Sequence, residues 1–171
     1  MYTSIAISGQ IAAGTTTAAK NAAEKLGLKF ESAGEFFRKY MRQNSIPLWD
    51  KSKIPDELDE EIDAKLTGLA KQGGYVIDGH YIGFFTRDMP NVLRVLLTCS
   101  DIERARRAIK RDLLHQENME DIKKREQGLD AKFRKLYAPD ENFLDPKFFN
   151  LVIDTTKTTQ EEVAQKIVSA F

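Results

Sequence analysis

Ile5, Ala6 and Ile7 lead straight into GQIAAGTTT at residues 9–17, and this junction constrains the fold more than any other feature of the chain. An apolar strand-like run is followed by two glycines and then by an alanine-rich helical stretch. Gly9 and Gly14 have the separation of the pattern GxxxxGK[ST], and Thr16 stands where a Mg²⁺-binding hydroxyl belongs. Thr15 occupies the lysine position. The glycines let backbone N–H groups converge on phosphate oxygens, while the following helix points its positive end at the same anion. Exchanging lysine for threonine keeps those donors and removes the point charge on the β- and γ-phosphates. Gly9, Gln10, Ile11, Ala12, Ala13, Gly14, Thr15, Thr16 and Thr17 are therefore candidates for an ATP-phosphate cradle.

At 171 residues the chain is expected to form a single domain, residues 1–171, with one substantial core. Its 42% hydrophobic and 30% charged residues are those of a soluble globular protein. Lysine plus arginine and aspartate plus glutamate both number 26, so the overall basic field of a tight nucleic-acid binder is absent. Small molecules are the expected partners, with neither a nucleic-acid polymer nor a membrane among them. The single cysteine, Cys99, excludes an internal disulfide, and no secretory h-region or 18-residue apolar run is present. The expected form is a monomer in a reducing cytoplasm. One cysteine and two histidines, His80 and His115, do not make a zinc site of ordinary composition. No Ser/His/Asp nucleophile elbow is present either.

Strand-like runs at residues 4–8, 28–31, 75–78, 92–98 and 151–154 alternate with helical ones at 15–26, 34–43, 56–72, 101–114 and 159–171. This alternation predicts an α/β fold, a three-layer α/β/α sandwich around a five-stranded parallel sheet. Ligands in such folds bind at the carboxyl ends of the strands, where the glycine loop falls. Two segments stand outside the alternation. Residues 44–55 hold two prolines and Trp49, and are expected to link two helices of a flap. Residues 117–139 are dense in charge and carry Ile122, Leu129, Phe133 and Leu136 at helical spacing, with Gly128 as an expected hinge.

The stretches ISGQIAAGTTTAAKNAAEKLG, SAGEFFRKYM, DELDEEID, YVIDGHYIG, IERARRAIKRD, KREQGLDAKFRKLY and FNLVIDTT together resemble the nucleoside monophosphate kinases, and within them the archaeal-type cytidylate kinases. Threonine commonly replaces the loop lysine in that branch. The resemblance implies a P-loop kinase with a helical NMP-binding flap at about residues 33–72 and a lid at about 116–139. It also implies ATP and Mg²⁺, with CMP or dCMP as acceptor. Ser32 and Arg38 would touch the monophosphate, Arg38 as a bidentate clamp; the alternative is that Ser32 or Gly34 starts a helix and Arg38 is solvated. Asp78 ends a buried strand, where P-loop proteins hold a carboxylate near Mg²⁺ or its waters. Arg125 and Lys132 would close over the transferring phosphoryl group, with Asp130 orienting them.

Asp59 and Asp63 lie four apart on one helical face, and a carboxylate can accept from a cytosine amino group. A solvated acidic first turn is the other reading of that cluster. On the 101–114 helix, Ile102, Ala105, Ile109 and Leu113 share one face while Arg104, Arg107 and Arg111 share the opposite one. Either that arginine face is solvated, or it serves the phosphates and adenine of ATP. The chain departs from the archaeal pattern at His80, where arginine is usual and Arg87 is a candidate substitute, and at Leu66, where glutamine is expected; His80 is either a substrate contact or an imidazole hydrogen-bonded at a strand end. Two rival readings stay open: the same fold acting on AMP, UMP or a small metabolite, and a nucleotide-binding regulatory protein without catalysis.

Overall fold

The structure, a computed structural model, describes residues 1–111, the side chain of Arg111 apart, and residues 118–171. The expected contact of Arg111, together with Leu113, His115 and the first residues of the expected lid, lies outside the described residues. Five parallel strands form the sheet: β1 (Ser4–Gly9), β2 (Lys29–Ser32), β3 (Tyr75–Asp78), β4 (Val92–Thr98) and β5 (Leu151–Asp154). Their order is β2-β3-β1-β4-β5. The chain leaves β1 toward one edge and returns past it to the other, so a crevice opens at the carboxyl end of β1, between β3 and β4. Ile7 pairs with Asp78 and Gly9 with Leu97, which brings the carboxyl ends of three strands level with the glycine loop.

Alternation along β1 sorts its residues between the two faces. Ile5 and Ile7 pack with Val76, Val95 and Leu97 beneath α1 (Thr15–Leu26) and α7 (Gln160–Ala170). Ala6 and Ile77 face α2 (Ala33–Gln43), α3 (Asp56–Gln72) and α4 (Ile82–Phe85). Ser8 is buried, yet it donates to the Gly79 carbonyl at 2.7 Å and accepts from the Gly83 N–H at 3.1 Å, so its hydroxyl is satisfied. Residues 44–55 join α2 to α3 through a 3₁₀ turn at Lys51–Lys53.

Two sequence expectations change here. The first concerns α6 (Met119–Leu136), which runs unbroken through Gly128 from a capping box at Asn118 and Asp121. Gly128 does not interrupt the helix, and a Cβ there would make an ordinary contact of 3.5 Å with the Lys51 Cβ. Ile122, Leu129 and Phe133 bury themselves against Tyr81, Phe84 and Phe143, and this packing outweighs the cost of about 1 kcal/mol that glycine brings to a helix. The second is α5 (Asp101–Arg111), whose apolar stripe faces outward. Ile102 is 86% exposed while Arg104 is 2% exposed. The reading of a solvated arginine face is overturned, because loop carbonyls beneath the helix supply the acceptors that make burial of guanidinium tolerable.

Candidate active site

The loop between β1 and α1 owes its shape to three backbone positions. Gly9 passes so close to β4 that a Cβ would sit 2.5 Å from the Leu97 carbonyl oxygen. Gly14, at φ +96°, caps α1 in the left-handed region that favours glycine. Ala12 enters the same region at φ +65° despite its Cβ. Side chains hold the loop from behind: the Gln10 amide oxygen accepts from the Cys99 N–H at 2.9 Å, and the Ala13 carbonyl accepts from Arg107 at 3.2 Å and Thr155 at 2.9 Å. The Ile11 carbonyl accepts from Arg104 at 3.0 Å. With these carbonyls engaged on the outside, the loop forms one wall of a hollow lined also by Arg38, Asp78, His80 and Arg125.

Within that hollow Thr16 donates to Asp78 at 2.6 Å, and Ser32 donates to the same carboxylate oxygen at 2.9 Å. Ser32 also accepts from the Glu35 N–H at 3.1 Å and so caps α2. Of the two sequence readings of Ser32, the structure shows the helix start, with the same hydroxyl held on Asp78. Thr16 and Asp78 offer hard oxygen donors, the ligand type a magnesium ion takes, and their number is too small to enclose one without phosphate oxygens and water. Among the described residues no group of three or more histidine, cysteine or acidic side chains could hold a metal alone.

A cleft of about 600 Å³ opens on the α5 side of the loop, lined by Gly14, Thr17, Arg106, Arg107, Lys110 and residues 155–160. Arg107 bridges it, donating to the Thr155 carbonyl at 2.6 Å. The hydroxyl-rich run 155–159 and Lys110 carried no assignment in the sequence; the signal that could have found them is the cluster of threonines immediately after β5.

On the opposite side a second cleft is lined by Gly34, Phe37, Arg38, Lys51, Asp63, His80 and Arg125. Removal from water pulls the His80 imidazole down to about 4, with Asp78 opposing the shift, so the ring is neutral at physiological pH. Desolvation pushes the Asp63 carboxyl up to about 7, against the effect of the hydrogen bond it accepts from Tyr137 at 2.9 Å. Lys51 lies 3.5 Å from the centre of the Phe37 ring, and burial lowers its pKa while Asp59 resists. Nothing in the sequence marked Lys51, which sits in a segment with no periodicity.

Several expected site residues lie elsewhere. Asp59, 1% exposed, binds Lys51 through one oxygen and meets Lys132 at 2.5 Å through the other. Lys132 also donates to the Ile54 carbonyl and lies 3.4 Å from Asp56. These charges neutralise one another at the seam between residues 51–59 and α6, so Asp59 lines neither cleft and Lys132 is not beside the loop. Asp130 pairs with Arg134 at 2.7 Å. Arg87 bonds the Phe84 carbonyl at 2.9 Å and does not replace the arginine missing at His80. Leu66 is packed in the core under α3 and faces no cleft. Arg104 grips the loop backbone, with its guanidinium buried and outside the lining of the cleft on the α5 side.

Residues 5–127 match the AAA domain family. Over 169 residues the chain is 35% identical to a cytidylate kinase of Ignicoccus hospitalis, covering 96% of each protein. It is 32% identical to a cytidylate kinase of Aeropyrum pernix, covering 95% of each. The fold is similar to that of a shikimate kinase from Acinetobacter baumannii solved with shikimate, at a TM-score of 0.63 and 19% identity, covering 99% of this chain and 93% of that one.

Proposed function

The chain belongs to the cytidylate kinase family of nucleoside monophosphate kinases, and from that membership we propose that it moves the γ-phosphoryl group of ATP to CMP or dCMP. One observation carries the reading furthest: Arg38, His80 and Arg125 line both the hollow under the glycine loop and the cleft on the flap side. A donor phosphate on the loop and an acceptor phosphate in that cleft would therefore meet at one point. The Arg107 cleft would take the rest of ATP, with its threonine run beside the sugar and base.

In this reading the N–H groups of Ala12 and of residues 14–16 hold the β- and γ-phosphates, those of Ile11 and Ala13 being spent on Glu126 and the Gln10 carbonyl. Thr16 and Asp78 would hold Mg²⁺ or its waters; when bound, the ion neutralises charge on the phosphate oxygens. Arg38 fixes the acceptor phosphate in two-point contact, and Arg125, on α6, adds positive charge where Thr15 brings none. No protein nucleophile is required, because alignment and electrostatics supply the rate. Asp63 faces the acceptor base, where its carboxyl can accept from an exocyclic amino group. The neutral imidazole of His80 takes the place of a clamping guanidinium and contributes hydrogen bonding alone. The reading includes a monomer working on free nucleotides in the cytoplasm, as the balanced charge and single cysteine of the sequence lead one to expect. Among the described residues no helix is long and apolar enough to cross a membrane.

A coupled ADP-release assay across the nucleoside monophosphates tests the proposal. Turnover is expected with CMP and dCMP. Turnover confined to AMP or UMP would overturn the acceptor, and ATP binding without turnover on any acceptor would overturn catalysis.

A further inference from the structure

The Ile11 peptide groups are gripped from both ends. The Ile11 N–H donates to Oε1 of Glu126 at 3.2 Å, and the Ile11 carbonyl accepts from Nε of Arg104 at 3.0 Å. Arg104 closes the triangle by donating from Nη2 to the same Glu126 oxygen at 2.6 Å. Three separate parts of the chain meet here, with Ile11 and Glu126 115 positions apart. Arg104 is almost wholly buried and spends its remaining Nη1 on Asp101 at 3.3 Å, so its whole guanidinium is committed to holding structure.

The next residue explains what this grip is for. Ala12 has φ +65°, a conformation that a residue bearing a Cβ avoids. The torsion φ of Ala12 relates its Cα to the Ile11–Ala12 peptide plane, and that is the plane whose carbonyl Arg104 holds. In a trans peptide the carbonyl and the N–H point opposite ways. With the carbonyl turned out to Arg104, the Ala12 N–H is turned toward the hollow that Ala12 lines with Thr15 and Thr16. A flipped plane would present an oxygen to a phosphate.

We infer that Glu126 and Arg104 are a positioning pair that holds the Ile11–Ala12 peptide with its N–H directed at the phosphate hollow, so that the seating of α6 sets the readiness of the loop for ATP. The inference rests on the reading that this loop takes ATP phosphates. Neither residue touches the nucleotide. Glu126 supplies the negative charge that keeps the buried guanidinium aimed and adds its own bond to the preceding N–H. Because Glu126 follows Arg125, one helix carries both a cation lining the hollow and the brace of the loop that faces it.

The test uses the full chain, with a non-hydrolysable ATP analogue and CMP as separate ligands in calorimetry. Glu126→Ala should weaken the analogue about tenfold while leaving CMP within about twofold, the size expected for losing a charge-assisted hydrogen bond. Glu126→Gln keeps an acceptor for the Ile11 N–H but not the charge, and should fall between; if the alanine variant does not fold, it carries the comparison. Adding Ala12→Gly to either variant should recover analogue affinity to within about threefold of the native chain, because glycine takes positive φ unaided. An unchanged analogue affinity would overturn the inference. So would weakening of both ligands alike, or failure of the glycine to rescue, since a merely structural ion pair would show those patterns. Failure of the kinase reading looks different: the native chain would bind the analogue and turn over no acceptor.

Discussion

The glycine loop and the seam between the flap and α6 both manage charge out of water, by opposite means. In the proposed function the loop receives negative charge on neutral backbone, within nine consecutive residues, 9–17. The seam buries positive charge with side chains, setting Lys51 and Lys132 on the two oxygens of Asp59, and its two lysines lie 81 positions apart. The loop depends on backbone shape, so in this reading threonine can stand in place of lysine. The seam depends on pairing, so each partner is needed by the others, and loss of one strands a charge in the interior.

Breaking the seam should therefore show as lost stability. Asp59→Ala is expected to cost about 3–5 kcal/mol in urea unfolding, because the buried Lys51 loses its counter-ion and the buried Lys132 keeps only the more distant Asp56. A cost under about 1 kcal/mol would reduce the seam to the worth of a surface pair. Breaking the site should show as lost turnover. Arg38→Ala is expected to lower kcat/KM for CMP about a hundredfold, or about 2.7 kcal/mol, with KM for ATP nearly unchanged; equal loss on both substrates would remove Arg38 from the acceptor side.

Gly9→Ala asks whether the loop is as tolerant of bulk as it is of charge. Its Cβ would press on the Leu97 carbonyl, a backbone atom that cannot move aside, and about 1–3 kcal/mol of stability should go. A pH series tests the edge where seam and cleft adjoin. Asp63, raised from 3.8 to about 7 mainly by desolvation, contributes stability that is fully present below its unfolded value and lost as pH rises through its folded one. The native chain should thus lose stability relative to Asp63→Asn between about pH 4 and pH 7, a window set by those two values. Parallel curves would mean that Asp63 titrates normally. The smallest effect is expected from Thr15→Lys: if Arg38 and Arg125 already supply the charge, kcat should rise by less than about fivefold, and a gain of several hundredfold would show the native loop to be impaired.

The parts of the site legible in the sequence are those that a strand end delivers. β1 places the loop, and β3 places Asp78 beside Thr16. The acidic and basic residues of α3 and α6 were harder to read. The four-residue spacing of Asp59 and Asp63 says that they share a helical face, and it is silent on what that face meets. Asp59 meets two lysines and Asp63 meets a tyrosine and a cleft. The resemblance groups Lys132 with Arg125, yet Lys132 is drawn into the seam while Arg125 borders the hollow. Glu126 sits between charged neighbours on a charged helix, and no pattern separates it from them.

Backbone preference acts between near neighbours, so the sequence by itself determined the strands, the glycine turn, the helix beyond it and the parallel α/β sheet that must receive them. Which way α5 turns its arginines, which lysines are buried, and which carboxyl titrates near neutrality were decided only in the tertiary structure. Those outcomes depend on what lies across from a side chain and on how much water remains there, and residues scores of positions away supply both.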